Sequence, residues 1–542
     1  MPKISYKDKP QQNGNGNGGL AALIKELWNA AVELRGNIEP SDYKRYVLPL
    51  IFLRFLSLRY EKRRSEIDVL IADPQSDFFT TDSKVADSLR EDPDLYTASN
   101  VFLVPEEARW ESIIKIGRAD DIKLKLDNIL ALLEKTFPKL KGLLPPIYAG
   151  SNLDRENIAG LINLFSKDIF KSGGGGIDML GRVYEYFIGE FASSEGKRGG
   201  EYFTPASIVN LLVAMLEPTE GKVFDPCCGS GGMFVQSDHF AKHSGKLSFF
   251  GQESKDFTYR LCRLNLFIHG LDGDIRLGSS YDNDQHPDLK ADFVLANPPF
   301  NDGSKGEKGW GAHLIDPKDA RLLVGDRRLG LAEKSANYMW MMHFLHHLKH
   351  GGTAGYVMAN GAMSSNTGEE RTAREALVEG NFVDCVVQLP DKLFANTAIP
   401  CSLWFLSKNR NGTTAYRPRK DEILFIDARK KATLIEGSRK QKQLSIPEIN
   451  EIAGVYHHFR RRSGSPENIE GFCKTATIQD VRSADYTLTP GRYVGTEAVA
   501  YDGEPFPEKM KRLTAELEEH FAESAKLERA IRENLRSIGY AG

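Results

Sequence analysis

Three short stretches bring reactive residue types together. The first is Val223-Phe-Asp-Pro-Cys-Cys-Gly-Ser-Gly-Gly232, between an apolar run and a helical one. Glycines let a backbone turn tightly and approach a ligand closely, and a helix start adds amide donors. No Gly-Lys-Ser/Thr follows, and the spacing is not that of a dinucleotide fingerprint. The second is Glu253, after the strand-like Leu247-Ser-Phe-Phe-Gly-Gln252. An acid at the end of a second strand is where open α/β sheets bind ribose hydroxyls. The third is Asn297-Pro-Pro-Phe300, which ends the apolar run Asp292–Ala296. Two prolines remove backbone donors and stiffen the chain, leaving the carbonyls of Asn297 and Pro298 as acceptors. An amide side chain and a rigid carbonyl can grip an exocyclic amino group, with Phe300 stacking on its ring.

Such residues need a rigid frame. Lys222–Asp225, Leu247–Phe250, Asp292–Ala296, Ala354–Ala359, Val383–Gln388 and Ser402–Leu406 read as buried strands separated by helical stretches. That alternation predicts an α/β fold with an open, mostly parallel sheet, its ligand beyond the carboxyl ends of the strands. Before it, Leu20, Leu23, Ile24, Leu27, Trp28, Ala31 and Leu34 recur at helical spacing up to Gly36, and further helical segments follow to about 170. The partition is a disordered tail over 1–19, a helical domain over 20–172, the sheet domain over 173–410, a mixed region over 411–505 and a helical tail over 506–542. In that tail Met510, Leu517, Ser524, Ile531 and Ile538 repeat every seven residues, with Leu513 and Leu527 between them. His520 and Asn534 interrupt the second seam, so the helix either docks a partner or folds back on its own domain.

Composition bounds the rest. The chain has 542 residues and a formal net charge of −3, which excludes a wholly cationic DNA binder but not a local basic surface. Its 41% hydrophobic residues suffice for a substantial core. The six cysteines form no CxxC pair, so neither a disulfide scaffold nor a metal site is expected. They suit a reducing cytoplasm. The N-terminus lacks the apolar run of a signal peptide, and Val47–Leu53 is too short to span a membrane.

The three stretches together resemble the modification subunits of type I restriction-modification systems, within the amino-group DNA methyltransferase superfamily. Asp225-Pro-Cys-Cys-Gly-Ser-Gly-Gly232 matches that family's S-adenosylmethionine loop and Asn297-Pro-Pro-Phe300 its catalytic motif. Asp178-Met-Leu-Gly-Arg-Val-Tyr-Glu-Tyr-Phe-Ile-Gly-Glu190 through Gly200-Glu-Tyr-Phe-Thr-Pro205 is similar to the type I subgroup in particular. So are Ala336-Asn-Tyr-Met-Trp340, the region to Leu389-Pro390 and Leu488-Thr-Pro-Gly-Arg-Tyr-Val494. The resemblance makes 173–410 a Rossmann-like methyltransferase domain and implies N6-adenine methylation of double-stranded DNA. It assigns catalysis to Asn297, Pro298, Pro299 and Phe300. Cofactor contacts fall to Glu201, Tyr202, Phe203, Thr204, Pro205, Asp225, Cys228, Gly229, Ser230, Gly231, Gly232 and Glu253. It also implies a specificity subunit that selects the site, two modification subunits per specificity subunit, a restriction subunit for cleavage, and a C-terminal tail docked to the specificity subunit.

The pattern departs from the family after the third strand. Where many adenine methyltransferases carry an acid, Leu277-Gly-Ser-Ser-Tyr281 has Ser279, flanked by Asp274 and Asp282. All three are expected to be solvated. The thiols of Cys227 and Cys228 belong to the cofactor loop rather than to a nucleophile. The segment from Asn301 to Ser335 carries Lys305, Lys308, Lys318, Arg321, Arg327 and Arg328. Either it closes over DNA, with Trp310 packing on DNA or a partner, or it is a solvated loop. No DNA-reading motif follows the sheet, which favours a separate reader. The alternatives are a stand-alone adenine-N6 or cytosine-N4 methyltransferase reading DNA through 411–542, and a non-catalytic sensor of the cofactor. A protein glutamine methyltransferase would be much shorter and would lack the type I blocks.

Overall fold

A helix that is apolar on all sides must lie inside a protein, and Leu50–Leu53 are all fully buried. They belong to α2 (Pro40–Ala72), which follows α1 (Gly16–Glu33) across a turn where Gly36 takes a φ of +61°. The computed structural model describes residues 16–36, 38–99, 101–167, 176–195, 204–300, 310, 312–333, 335–394, 400–435, 438, 440–461, 468–496 and 506–537. Glu201, Tyr202 and Phe203 fall outside that set, as do Lys305, Lys308, Ile538 and the first 15 residues.

Around α2 lie α3 (Ser83–Arg90), α4 (Pro93–Thr97), α5 (Trp110–Ile116), α6 (Ile122–Thr136), α7 (Arg155–Phe165) and α8 (Gly176–Glu195). One hydrophobic core joins them. Trp28 of α1 meets Phe187 and Phe191 of α8 edge to face, with centroids 5.0 and 4.7 Å apart. That geometry suits the aromatic quadrupole. The apolar run at Val47–Leu53 is thus the centre of a helical bundle. Among the described residues no helix is long and apolar enough to cross a membrane.

The next segment, to Val494, winds helices over both faces of one sheet. Its strands are β1 (Gly221–Asp225), β2 (Leu247–Glu253), β3 (Gly273–Leu277), β4 (Ala291–Ala296), β7 (Leu348–Ala359), β8 (Val383–Gln388), β9 (Cys401–Ser407), β10 (Glu422–Asp427) and β13 (Cys473–Thr477). Two small ribbons stand apart from it, β5 (Leu323–Val324) with β6 (Arg327–Arg328) and β11 (Thr433–Leu434) with β12 (Lys442–Gln443). The strand order is β13-β10-β8-β9-β7-β4-β1-β2-β3. Pairing is parallel from β7 through β3, while β9 runs antiparallel to both its neighbours and β13 antiparallel to β10. This is the open, mostly parallel sheet expected from the apolar runs.

Successive strand side chains point to opposite faces, so adjacent Val223 and Phe224 enter different cores. The Val223 face carries α9 (Ala206–Leu216), α10 (Gly232–Phe240) and α14 (Ile446–Arg460); the Phe224 face carries α12 (Asn337–His347), α13 (Gly368–Glu379) and α15 (Ile478–Ser483). α11 (Asp256–Ile268) contributes Cys262 and Leu266 to the sheet core and Leu261, Leu264 and Ile268 to the helical core. It is the shared wall between bundle and sheet. The last helix, α16 (Phe506–Ser537), lies in a separate unit, Gly495–Gly542. Its apolar side chains Met510, Leu513, Leu517, Phe521, Leu527, Ile531 and Leu535 are exposed.

Candidate active site

The chain leaves β1, builds β2 and β3 on one side, then returns to place β4 on the other. The crevice opened at such a reversal is the binding place of an open α/β sheet. Asp225 ends β1 and Asn297 follows β4, so both stand at its mouth.

The turn after β1 is fixed by its hydrogen bonds. Cys227 N–H donates to Asp225 Oδ1 at 3.1 Å, Cys228 N–H to the Gln252 carbonyl at 3.1 Å, and Gly231 N–H to the Cys228 carbonyl at 2.8 Å. Gly229 and Gly231 have φ of +54° and +81°, which L side chains resist, and a Cβ on Gly231 would meet Cys262 Sγ at 3.0 Å. Glu253 closes the loop from the β2 side: Oε2 accepts Gly229 N–H at 3.0 Å and Oε1 accepts Lys255 N–H at 2.9 Å. Asn265 Nδ2 donates to the Ser230 carbonyl at 2.9 Å, and Ser280 Oγ to the Pro226 carbonyl at 2.6 Å.

These elements bound a cavity of about 440 Å³. Thr204, Asp225, Cys228, Gly229, Ser230, Gly232 and Asn297 all line it, bringing seven of the expected residues to one surface. Across it Asn297 Nδ2 donates to Thr204 Oγ1 at 2.9 Å. Helix α8 adds Arg182 and Glu185 to the wall. Pro205 stands behind Thr204, where its carbonyl accepts from Ile208 and Val209 and starts α9. Glu253 touches the loop backbone rather than the cavity wall, and Phe300, half-buried, packs edge to face with Phe394 at 6.0 Å.

Burial dominates the electrostatics. It pushes the Asp225 carboxyl up to about 7, only partly offset by the Cys227 amide and thiol. It also pushes the Cys227 thiol well above its usual range. Thiolate nucleophiles need the opposite shift, so the cysteines serve as loop structure.

A family model described as N-6 DNA Methylase matches residues 175–502, and one for the HsdM N-terminal domain matches 23–165. The chain belongs to the N-6 DNA methylase family. Within it, the type I restriction enzyme MjaIX methylase subunit of Methanocaldococcus jannaschii is 39% identical over 95% of this chain and 91% of its own length. The HindI methylase subunit of Haemophilus influenzae is 39% identical over 81% of this chain and 100% of its own. The crystal structure of a type I methyltransferase subunit from Streptococcus thermophilus superposes with a TM-score of 0.71 at 24% identity, covering 88% of this chain and 99% of that one. This chain is a type I methylase subunit, so the stand-alone alternative falls away.

In the described part of the methylase's charged segment, Arg321 and Trp310 depart from the sequence expectation. Arg321 is 5% exposed, ion-paired with Asp319, and donates to the Ser280 and Tyr281 carbonyls at 2.7 Å. It therefore braces the turn behind β3 instead of meeting phosphate. Trp310 is 6% exposed, donates Nε1 to the Ala332 carbonyl and lies 5.2 Å from Tyr281, so it is core rather than a DNA-facing residue. Arg327 pairs with Glu375, and Arg328 donates to the Pro317 and Asp319 carbonyls. A cation's sequence position cannot distinguish a phosphate contact from an internal brace. Within β3, Asp274 is exposed and paired with Arg276, and after the strand Asp282 is exposed; the buried residue of that turn is Ser280, which sequence reasoning missed.

Asp284, His343 and His347 also cluster within ligand distance of one another. Arg321 Nη1 lies 3.3 Å from His343 Nδ1. A guanidinium only donates, so that nitrogen must accept and Nε2 must carry the proton. The cluster is built to tie α12 to the turn behind β3, with His347 Nε2 3.0 Å from Asp284 and Nδ1 3.0 Å from the Leu289 carbonyl.

Proposed function

We propose that this subunit transfers methyl from S-adenosylmethionine to the N6 amine of an adenine flipped out of double-stranded DNA, at sites chosen by a separate specificity subunit. The observation that carries the reading is Asn297 at the end of β4, facing the Asp225–Gly232 loop across one cavity.

The cavity fits the cofactor. About 440 Å³ lies within the usual range for small-molecule sites. Asp225 and Glu185 offer carboxylates to a cationic centre, and Arg182 offers a cation to a carboxylate. Asn265 lines the same cavity, and its buried Oδ1 has no hydrogen-bond partner among the described residues, leaving an acceptor for a ligand donor. When bound, the cofactor supplies an electrophilic methyl on a positively charged sulfur. The residues of the chain do the rest. The lone pair of an adenine amine is delocalised into its ring. Hydrogen bonds from that amine to Asn297 Oδ1 and the Pro298 carbonyl favour its pyramidal form and localise the pair. Pro298 and Pro299 hold the acceptors still, so positioning supplies most of the rate. Extruding the base costs a few kcal/mol, and stacking on Phe300 offsets part of it.

If Asp225 meets the cofactor's positive charge, its raised pKa sets a pH dependence. The neutral carboxyl prevails below about 7 and the anion above it. A cation binds the anion, so affinity rises with pH through that value. Between pH 7.5 and 6.0 the cofactor Kd is expected to weaken roughly tenfold, read by calorimetry. Asp225→Asn is expected to flatten the profile; an unchanged slope in that variant removes the assignment.

Double-stranded DNA, the specificity subunit and the restriction subunit are the partners. Two modification subunits per specificity subunit follow the family pattern. The exposed apolar stripe of α16 is the proposed docking surface for the specificity subunit. The test is transfer of labelled methyl to unmodified DNA, with the product base identified. N6-methyladenine is expected only when the specificity subunit is added. Methyladenine made by the single chain would place the DNA reader inside it.

A further inference from the structure

An amide side chain presents an acceptor on one side and two donors on the other. Only the carbonyl of Asn297 can take a proton from the target amine, since the reversed amide would set N–H against N–H. Pro298 and Pro299 fix where that amide sits, but a rigid backbone does not decide which way it faces. The Asn297 Nδ2 donates to Thr204 Oγ1 at 2.9 Å, and this turns the carbonyl away from Thr204.

Thr204 is itself held firmly. A residue before proline is confined to extended conformations. The Pro205 carbonyl accepts from Ile208 and Val209 at 2.9 and 3.1 Å, and α9 buries Ile208, Leu211 and Leu212 completely. Yet a hydroxyl is ambivalent. It can accept from the Asn297 amide or donate to its carbonyl, so the choice depends on where its own proton goes.

Thr204 lines the cavity that Arg182 also lines. Resting on the cofactor reading above, we infer that Thr204 is a positioning residue which donates its hydroxyl proton to the carboxylate of the bound cofactor and therefore accepts from Asn297. A carboxylate only accepts, so its presence leaves Oγ1 no role toward Asn297 except acceptor. Cofactor occupancy thereby sets the catalytic amide with its carbonyl toward the base. The reversed bond, in which the hydroxyl donates to Asn297 Oδ1, is excluded once that proton is committed to the carboxylate.

The test uses the modification subunit assembled with its specificity subunit, and measures transfer to DNA together with cofactor Kd. Thr204→Val keeps the shape and removes the hydroxyl. Its kcat is expected to fall at least tenfold and to stay low when cofactor and DNA are saturating. Thr204→Ser, which retains the hydroxyl, is expected to recover most of that loss. Stoichiometric cofactor binding by Thr204→Val verifies that the variant is folded. If saturating cofactor returns Thr204→Val to the wild-type rate, Thr204 merely holds the cofactor and the inference is overturned. Failure of Thr204→Ser to recover activity overturns it as well. Failure of the wild-type complex to methylate adenine would instead defeat the functional reading beneath it.

Discussion

Asn297→Ala is expected to slow methyl transfer by about 10²–10³-fold or more, the range seen when one preorganised polar contact to a reacting centre is removed. The variant is expected to bind cofactor with a Kd within about threefold of the wild type. The reasoning is geometric. Asn297 is one of many residues around the cavity, and the loop backbone, Asp225 and Asn265 line it independently of Asn297. In the proposed mechanism the target amine gives its protons to the Asn297 side chain and the Pro298 carbonyl. Truncation should therefore lower kcat without a matching rise in the cofactor KM, the pattern of an interaction that matters in the transition state. Single-turnover transfer with the assembled complex measures the first quantity, and equilibrium binding without DNA the second. Unchanged transfer would defeat the mechanism. A sensor that binds cofactor without catalysis would show no transfer in the wild type either.

How much of this was legible in the sequence depended on how each signal was written. The six strands read from apolar runs are all present, because a strand covered on both faces, parallel or, like β9, antiparallel, is a nearly continuous hydrophobic run. β3 gives no such run, and only the resemblance places a strand before the Leu277–Tyr281 turn, because it lies at the sheet edge, where only Ile275 of its five residues is buried. β10 was lost for another reason. Its buried Ile423–Ile426 sits between Arg- and Lys-rich turns that mask so short a signal. The cofactor loop and Asn297 were visible because their chemistry is local, a few residues at the end of a strand. The bond from Asn297 to Thr204 joins residues 93 apart, and no local pattern announces it. The same limit misplaced Arg321 and Trp310, whose partners Ser280 and Tyr281 come from a turn some 30 to 40 residues earlier.

The stretch from 411 to 480, within the mixed region 411–505, is anchored by one side chain, and its removal should be the most damaging change outside the site. Asp384 on β8 is completely buried. Its Oδ1 accepts from Arg410 Nη1 at 2.8 Å and Arg419 Nε at 2.7 Å, and its Oδ2 from Arg419 Nη2 at 2.9 Å and the Tyr456 hydroxyl at 2.8 Å. Burial opposes ionisation of Asp384, but Arg419 and Arg410 outweigh it and hold the carboxyl well below its usual range. Arg460 is buried nearby, its guanidinium 4.1 Å from the Tyr416 ring and 5.0 Å from that of Tyr456. The arginines and tyrosines belong to the β9–β10 connection and to α14, so a single carboxylate ties both to the sheet. Asp384→Asn preserves the shape and deletes the charge, leaving Arg410 and Arg419 buried without an anion. Breaking a buried pair in this way costs about 3–5 kcal/mol, so a melting midpoint lower by at least about 5 °C is expected, with early proteolysis within 411–421. The depressed pKa fixes the sign of the pH effect. The stabilisation is complete above the unfolded carboxylate pKa and is lost as pH falls toward the lower folded value. Acidification should therefore cost the wild type more stability than Asp384→Asn. For contrast, Arg532→Ala removes the exposed pair with Glu528 on α16, a type of contact worth about 0.3–0.5 kcal/mol. If Asp384→Asn melts within a degree of the wild type, the cluster is incidental, and the 411–480 region must be held by its apolar contacts through Ile423, Phe425, Ile452 and Phe459.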